Sequence, residues 1–361
     1  MPLRVVIAGG GTGGHLYPGI AVARELLARR PDAAISFAGT SSGIEARVVP
    51  REGFALDLIR SGGLKGKGWR TVLRGLALLP VSLVDAWGIV SRRRPDLVIG
   101  VGGYSSGPLV LVAALRLVPT LVLEQNAMPG LANRQLAPFV DAAAVTYEAS
   151  VPYFRGKAFV SGNPVRSGFQ QAASSRDRAA ASLLRVLVFG GSQGAHAINV
   201  AVVEAVPTLA AAADRCELVL QTGERDLELV RDACRRAGLR TRVEAFFEDM
   251  DREMSAADLL VCRAGATTLA ELTVAGRPAI LIPLPTATDD HQRRNAEELR
   301  EAGAAEVIDQ RDLTGPVLAD RILALAADSA RRGRMAEAAR RLARPEAAAR
   351  IVDRAVSLAG V

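Results

Sequence analysis

Short apolar runs recur along the chain. Each is closed by glycine or polar residues and followed by a stretch whose apolar positions fall three and four apart. In the first half the runs are RVVIAG (4–9), AISFAG (34–39), DLVIGVGG (96–103), TLVLEQ (120–125) and AAAVTY (142–147). In the second they are RVLVFGG (185–191), ELVLQTG (217–223), RVEAFF (242–247), DLLVCRAG (258–265) and AILIPLP (279–285). Runs this short and this continuously apolar predict strands buried on both faces, and the stretches between them predict crossover helices. Strand and helix alternate throughout, which implies an α/β protein with parallel sheets covered on both sides. From about Pro316 the chain is rich in alanine and arginine and predicts helices only.

The two halves are related. Leu3–His15 reads LRVVIAGGGTGGH and Leu184–His196 reads LRVLVFGGSQGAH, with seven of thirteen positions identical at a constant offset of 181. The same strand, glycine turn and helix therefore open each half, and two similar doubly wound domains are expected. The seam falls in SGNPVRSGF (161–169), where Gly, Asn and Pro interrupt the pattern. This divides the chain into 1–163 and 164–341. Ligands in such sheets bind beyond the carboxyl ends of the strands, so the cleft between two facing domains is the expected site.

Composition narrows the class. A length of 361 residues fits two domains, and 4% aromatics with 34 glycines favours α/β over a β-sandwich. The three cysteines, Cys216, Cys234 and Cys262, form no CxxC pair and read as reduced thiols. No signal peptide is visible at the start, and no apolar run is long enough to span a bilayer. Between Arg60 and Arg94 lie eight basic residues opposed only by Asp85, so this one segment holds as much excess charge as the whole chain, +7. Trp69, Leu73, Leu76, Leu79, Leu83 and Trp87 recur there at roughly helical spacing. Pro80 and Asp85 argue against a membrane span. Apolar residues flanked by cations suit a helix lying on anionic lipid, each basic residue adding about 1 kcal/mol. Lys65, Lys67, Trp69, Arg70, Leu73, Arg74, Leu76 and Leu79 are the candidate docking residues. The plainer reading is a core helix with a solvated basic face. Nucleic acid is not an expected partner, because aromatic platforms and base-reading modules are missing.

Several motifs carry candidate chemistry. Gly9, Gly11 and Gly14 satisfy G-x-G-x-x-G, but a dinucleotide fold wants an acid at the end of the second strand, and SFAGTSSG offers Thr40 and Ser41. A nicotinamide or flavin cofactor is therefore not expected. The three histidines, His15, His196 and His291, all stand at predicted strand ends. No spacing suits a zinc site, and Asp289–Asp290 lacks a third ligand, so no metal is expected. In CRAGATTLAE (262–271) a strand ends at Cys262, Gly265 turns, and Thr267 or Thr268 is expected to cap a helix whose N-terminus suits a pyrophosphate. Glu271, one turn in, is placed to accept from a ribose diol. DDHQRRNAEEL (289–299) gathers polar groups suited to sugar hydroxyls, and LEQNAMPGLANR (123–134) sets Glu124, Gln125 and Asn126 after a strand.

GGGTGGHLYPG, GVGGYSSGP, LEQNAMPGLANR, GNPVR, FGGSQGAHAIN, QTG, FFEDM, CRAGATTLAE and DDHQRRNAEEL stand in the order seen in one family. On these motifs the chain resembles the N-acetylglucosaminyltransferases that convert lipid I to lipid II in peptidoglycan synthesis. The resemblance implies a GT-B fold of two Rossmann-like domains, with a last helix, about 342–361, returning to the first. It implies UDP-GlcNAc and an undecaprenyl-pyrophosphoryl-MurNAc-pentapeptide as substrates. It also implies a peripheral place on the cytoplasmic face of the bacterial membrane and partners in cell-wall synthesis and division. By motif, Thr12, Gly13 and Gly14 face the donor diphosphate or the acceptor side, and Asn126 touches the sugar. Arg166 and Ser192 hold the diphosphate, and the Phe247 backbone receives uracil. Ala266, Thr267, Thr268, Leu269 and Ala270 line the helix start, Glu271 meets the ribose, and Gln292 binds sugar hydroxyls. An inverting transfer needs a base for the acceptor hydroxyl; His15 is the candidate, with Glu124 as second choice or as the group that orients the acceptor. Related GT-B activities, a diacylglycerol glycosyltransferase or a UDP-GlcNAc 2-epimerase, are the alternatives.

Overall fold

The computed structural model describes residues 2–62, 69–166, 168–169, 183–191 and 194–360, with the backbone alone over 69–77. The chain divides into two compact units, Met1–Arg166 with Arg344–Val361, and Ser167–Ala343. Lys65, Lys67 and Ser192, and the side chains of Trp69, Arg70, Leu73, Arg74 and Leu76, lie outside the described residues.

The first unit is built on seven parallel strands: β1 (Arg4–Gly9), β2 (Ala34–Gly39), β3 (Ala55–Leu58), β4 (Leu97–Gly102), β5 (Thr120–Glu124), β6 (Ala142–Val145) and β7 (Ala158–Val160). Their order is β3-β2-β1-β4-β5-β6-β7. The chain leaves β1 in one direction and returns at β4 on its other side, so the doubly wound switch point lies between β1 and β4. Alternation along β1 sends Val5 and Ile7 to one face, where they pack with Leu16, Ile20, Ile351 and Val352. Val6 and Ala8 go to the other, against Ile89, Val90, Leu109 and Val110. The terminal helix Ala347–Ala359 thus completes the first face.

The second unit holds β8 (Leu184–Phe189), β9 (Cys216–Gln221), β10 (Thr241–Glu244), β11 (Leu259–Cys262), β12 (Ala279–Leu281) and β13 (Ala305–Val307), in the order β10-β9-β8-β11-β12-β13. Its switch point lies between β8 and β11. Val186 and Val188 pack beneath helices His196–Ala210 and Gly315–Ala327 through Ile198, Val202, Leu318 and Ile322. The three cysteines are free and buried, and burial pushes the Cys262 thiol up.

Three strands, β3, β7 and β13, were not legible as apolar runs. Each lies at a sheet edge and has one strand neighbour, so only part of its surface needs to be apolar. The charge count also changes. Arg60 forms a bidentate pair with Asp85, while Arg92 and Arg93 both bond Asp57, which precedes the counted segment on β3. Part of the basic excess is therefore balanced within the unit.

Candidate active site

In the first unit the turns after β1 and β4 lie back to back. A Cβ on Gly9 would sit 2.3 Å from the Gly102 carbonyl oxygen, and one on Gly103 would sit 2.6 Å from that of Gly10. Only glycine permits this approach, and both φ angles at Gly102 (+93°) and Gly103 (+83°) are left-handed. The helix Gly13–Arg29 starts from this junction. His15 lies in its first turn with its imidazole over Gly102, where an added Cβ would come within 2.7 Å of the ring. The Thr12 hydroxyl, rather than capping the helix, lies 3.2 Å from His15 Nδ1. Gly102→Ala is therefore expected to displace the imidazole from its place over β4, which a structure of the variant would check.

Beneath the same turn lies a carboxylate that sequence reasoning missed. Glu45 is fully buried and accepts hydrogen bonds from the Gly11 N–H (2.7 Å), the Thr40 N–H (2.8 Å) and the Thr40 hydroxyl (2.8 Å). Gly10, Gly39 and Gly43 surround it so closely that a Cβ on any of them would collide with the carboxyl group. Burial alone would raise the Glu45 carboxyl, but the bonds from Gly11 and Thr40 hold it below the usual carboxylate range. The strand end that offered only Thr40 and Ser41 does supply an acid, five residues past Thr40. It serves the glycine turn from below.

Glu124, at the end of β5, is also buried. Its carboxylate accepts from the Asn126 N–H (3.0 Å), the Asn126 side chain (3.3 Å), the Gly130 N–H (3.0 Å) and Asn133 Nδ2 (2.8 Å). Burial drives its pKa above the usual range against the pull of these donors. With four donors converging on it, Glu124 organises the loop that presents Asn126. Arg166 stacks its guanidinium 5.2 Å from the Tyr17 ring centroid, in the same unit as His15.

The second unit repeats the device with different fittings. Gly194 (φ +72°) brings its turn so close to the end of β9 that a Cβ would lie 2.0 Å from the Thr222 carbonyl oxygen. Gln221, buried at the end of β9, ties two parts together: its Nε2 donates to the Gly191 carbonyl (3.1 Å) and its Oε1 accepts from the Phe247 N–H (2.8 Å). Phe247 is buried with Arg242 over its ring at 4.5 Å. The helix Ala266–Ala275 begins after Gly265, which is its extended N-cap, and no side chain caps it. Thr267 and Thr268 are thus not caps but lie within the first turn, because the chain enters the helix one residue after Gly265. Glu271 lies further along that helix and is 6% exposed.

Arg263 donates to the carbonyls of Ile282 (3.1 Å) and Pro283 (3.3 Å) and to Gln310 Oε1 (2.7 Å), pinning the loop after β12. In that loop's helix Gln292 accepts from the Leu284 N–H (3.0 Å), which leaves its amide protons for other acceptors. His291 Nδ1 bonds the Thr288 carbonyl (2.6 Å). Of the predicted residues, Thr12, Gly13, Gly14, His15, Glu124, Asn126 and Arg166 fall in the first unit. Phe247, Ala266 to Glu271 and Gln292 fall in the second. Glu45, Gln221 and Arg263 were missed. The QTG motif was the one available signal, for Gln221.

Residues 5–145 match the model of the glycosyltransferase family 28 N-terminal domain, and residues 185–351 match that of the C-terminal domain. The chain is 49% identical to the UDP-N-acetylglucosamine–N-acetylmuramyl-(pentapeptide) pyrophosphoryl-undecaprenol N-acetylglucosamine transferase of Anaeromyxobacter sp. (strain K), over 97% of this chain and 92% of that protein. It is 47% identical to the protein of the same name from Geobacter sulfurreducens, over 98% of each. Among solved structures, Acinetobacter baumannii MurG superposes with a TM-score of 0.79 at 29% identity, covering 99% of this chain and 100% of that one. A UDP-N-acetylglucosamine 2-epimerase from Listeria monocytogenes reaches 0.69 at 16% identity, over 98% and 95%, and shares the fold. Two doubly wound parallel sheets with these neighbours fit the GT-B fold.

Proposed function

The chain belongs to glycosyltransferase family 28, and we infer that it transfers N-acetylglucosamine from UDP-N-acetylglucosamine to the lipid-linked N-acetylmuramyl pentapeptide acceptor of peptidoglycan synthesis. The observation that carries this reading is the near-full-length likeness to relatives bearing that name. The test is direct: the purified protein, given UDP-GlcNAc and a lipid I analogue, releases UDP and forms a β-1,4-linked disaccharide. No UDP release would reject it, and UDP-ManNAc formed from UDP-GlcNAc alone would favour the epimerase reading.

In our reading the MurNAc 4-hydroxyl attacks the anomeric carbon of GlcNAc, the bond to UDP breaks, and inversion follows. His15 takes the hydroxyl proton. With the Nδ1 proton directed to the Thr12 hydroxyl, Nε2 is the basic nitrogen, and Gly102 fixes the ring plane. Glu124 acts through the loop it organises, holding Asn126 towards the sugar. Thr12, Gly13 and Gly14 serve the acceptor side. The donor belongs to the second unit. Ser192 holds its diphosphate, together with the helix start from Ala266 through Thr267, Thr268, Leu269 and Ala270. The Phe247 N–H is already given to Gln221, so its carbonyl is the group offered to uracil. Glu271 binds the ribose, and Gln292 gives its amide protons to sugar hydroxyls. Glu271→Ala is expected to raise KM for UDP-GlcNAc roughly tenfold or more with a smaller effect on kcat. An unchanged KM would remove Glu271 from the site.

The acceptor's lipid stays in a membrane, and the basic, apolar segment suits peripheral attachment to an anionic surface on the cytoplasmic face. Among the described residues no helix is long and apolar enough to cross a membrane. The helix Trp69–Arg93 exposes Leu83, Val84 and Trp87, the last 56% exposed. Arg116 stacks over Trp87 at 4.7 Å and brings up the exposed Leu115 and the 92%-exposed Leu117. Leu79, in the same helix, is partly buried. Neutralising Lys65, Lys67, Arg70 and Arg74, or combining Trp87→Glu with Leu117→Glu, is expected to weaken binding to anionic vesicles about tenfold or more. Unchanged sedimentation with vesicles would make this surface an ordinary one.

A further inference from the structure

The two halves carry matching histidines, His15 and His196, at the offset of 181. The same offset relates Glu45 to Asp226, and each acid follows the second strand of its sheet, β2 or β9. In the first unit the acid closes on the glycine turn and the histidine turns to Thr12. In the second unit the partners are exchanged. Asp226 is buried and accepts from His196 Nδ1 (2.9 and 3.1 Å) and from Asn199 Nδ2 (2.8 Å). Asn199 also donates to the Thr222 carbonyl (2.9 Å), which locks the acid to the end of β9. Arg225 lies 3.9 Å from the same carboxylate.

This exchange has a chemical result. A carboxylate bound at Nδ1 fixes the ring and leaves Nε2 as the nitrogen available to another partner. His196 Nε2 has no hydrogen-bond partner among the described residues, and the side chain is 51% exposed at the start of a helix beyond the carboxyl end of β8. That is where a doubly wound sheet receives the phosphates of its ligand.

We propose that His196 is a ligand of the donor's diphosphate, with Nε2 as its contact to a phosphate oxygen, and that Asp226 is its positioning residue. The proposal rests on the transferase reading above, in which the second unit holds UDP-GlcNAc. It concerns a contact that strengthens as UDP gathers charge on leaving; no bond is made or broken at His196.

The test compares UDP with uridine, which lacks phosphates, by calorimetric titration and competition on the full chain. His196→Ala is expected to weaken UDP about tenfold and leave uridine unchanged. Asp226→Asn is expected to lose part of the UDP affinity with the same selectivity. His196→Arg, which keeps N–H donors beside Asp226, is expected to hold UDP within about twofold of wild type. Equal losses for UDP and uridine would make the pair structural and overturn the proposal, as would undiminished UDP binding by His196→Ala. A wild-type chain that binds neither UDP nor UDP-GlcNAc would instead overturn the transferase reading.

Discussion

His15→Ala is expected to lower kcat by about a hundredfold or more while the Kd for UDP stays within about twofold. The reason is positional. The imidazole lies over Gly102 of β4, which has no Cβ to block it, its Nδ1 faces a hydroxyl at 3.2 Å, and both belong to the first unit. Loss of the proton acceptor is felt when the hydroxyl attacks and has no counterpart in donor binding. His15→Gln keeps the approximate shape but cannot take the proton, and should be as slow as alanine. Single-turnover measurements with saturating donor would separate this step from product release. A kcat near wild type, or a tenfold loss of UDP affinity in its place, would remove His15 from the role of base.

The second large effect is on folding. Glu45→Ala is expected to destabilise the first unit by about 4 kcal/mol. Two backbone N–H groups and a hydroxyl lose their acceptor in a buried setting, each at about 1–3 kcal/mol, partly relieved by water. Glu45→Gln is no remedy, since its amide nitrogen would face donors; about 2 kcal/mol of loss is expected. The sign of the pH effect follows from the depressed carboxyl. The native state holds Glu45 ionised more firmly than the unfolded chain does. Its contribution is therefore present above the ordinary carboxyl range and disappears as pH falls through the lower native value. Wild type should lose more stability than Glu45→Gln between about pH 5 and pH 3. Urea midpoints across that range measure both effects, and coincident midpoints for wild type and Glu45→Ala would refute the account.

The central strands were readable because burial on both faces leaves an unbroken apolar run, as in VVIA of β1 or LLVC of β11. β3, β7 and β13 were not, because an edge asks less of each residue. The glycine turns announced themselves, since Gly9, Gly102 and Gly194 answer to contacts that exclude any side chain. Their acids did not. Glu45 meets Gly11 across 34 positions, and Asp226 meets His196 across 30, by closure of the sheet; neither pairing leaves a local mark. Gln221 was visible within QTG, but its bridging of Gly191 and Phe247 needs three loops in place. The helix at Ala266 was foreseen and its cap was not, because an extended glycine did what a threonine was expected to do. The basic segment looked less balanced than it is, since Asp57 stands outside the window that suggested it.

The terminal helix Ala347–Ala359 sets an order of events during synthesis. Ile351, Val352 and Ala355 complete a face laid down by β1 and the helix Gly13–Arg29, and Arg29 pairs with Asp353 across most of the chain's length. A ribosome emits all of the second unit before it emits these residues. The first unit to be translated is thus the last that can close, and until then its apolar face stands open. Premature termination near Leu342 would yield a nascent product with a finished later unit and an unfinished earlier one, a natural substrate for chaperones or proteases.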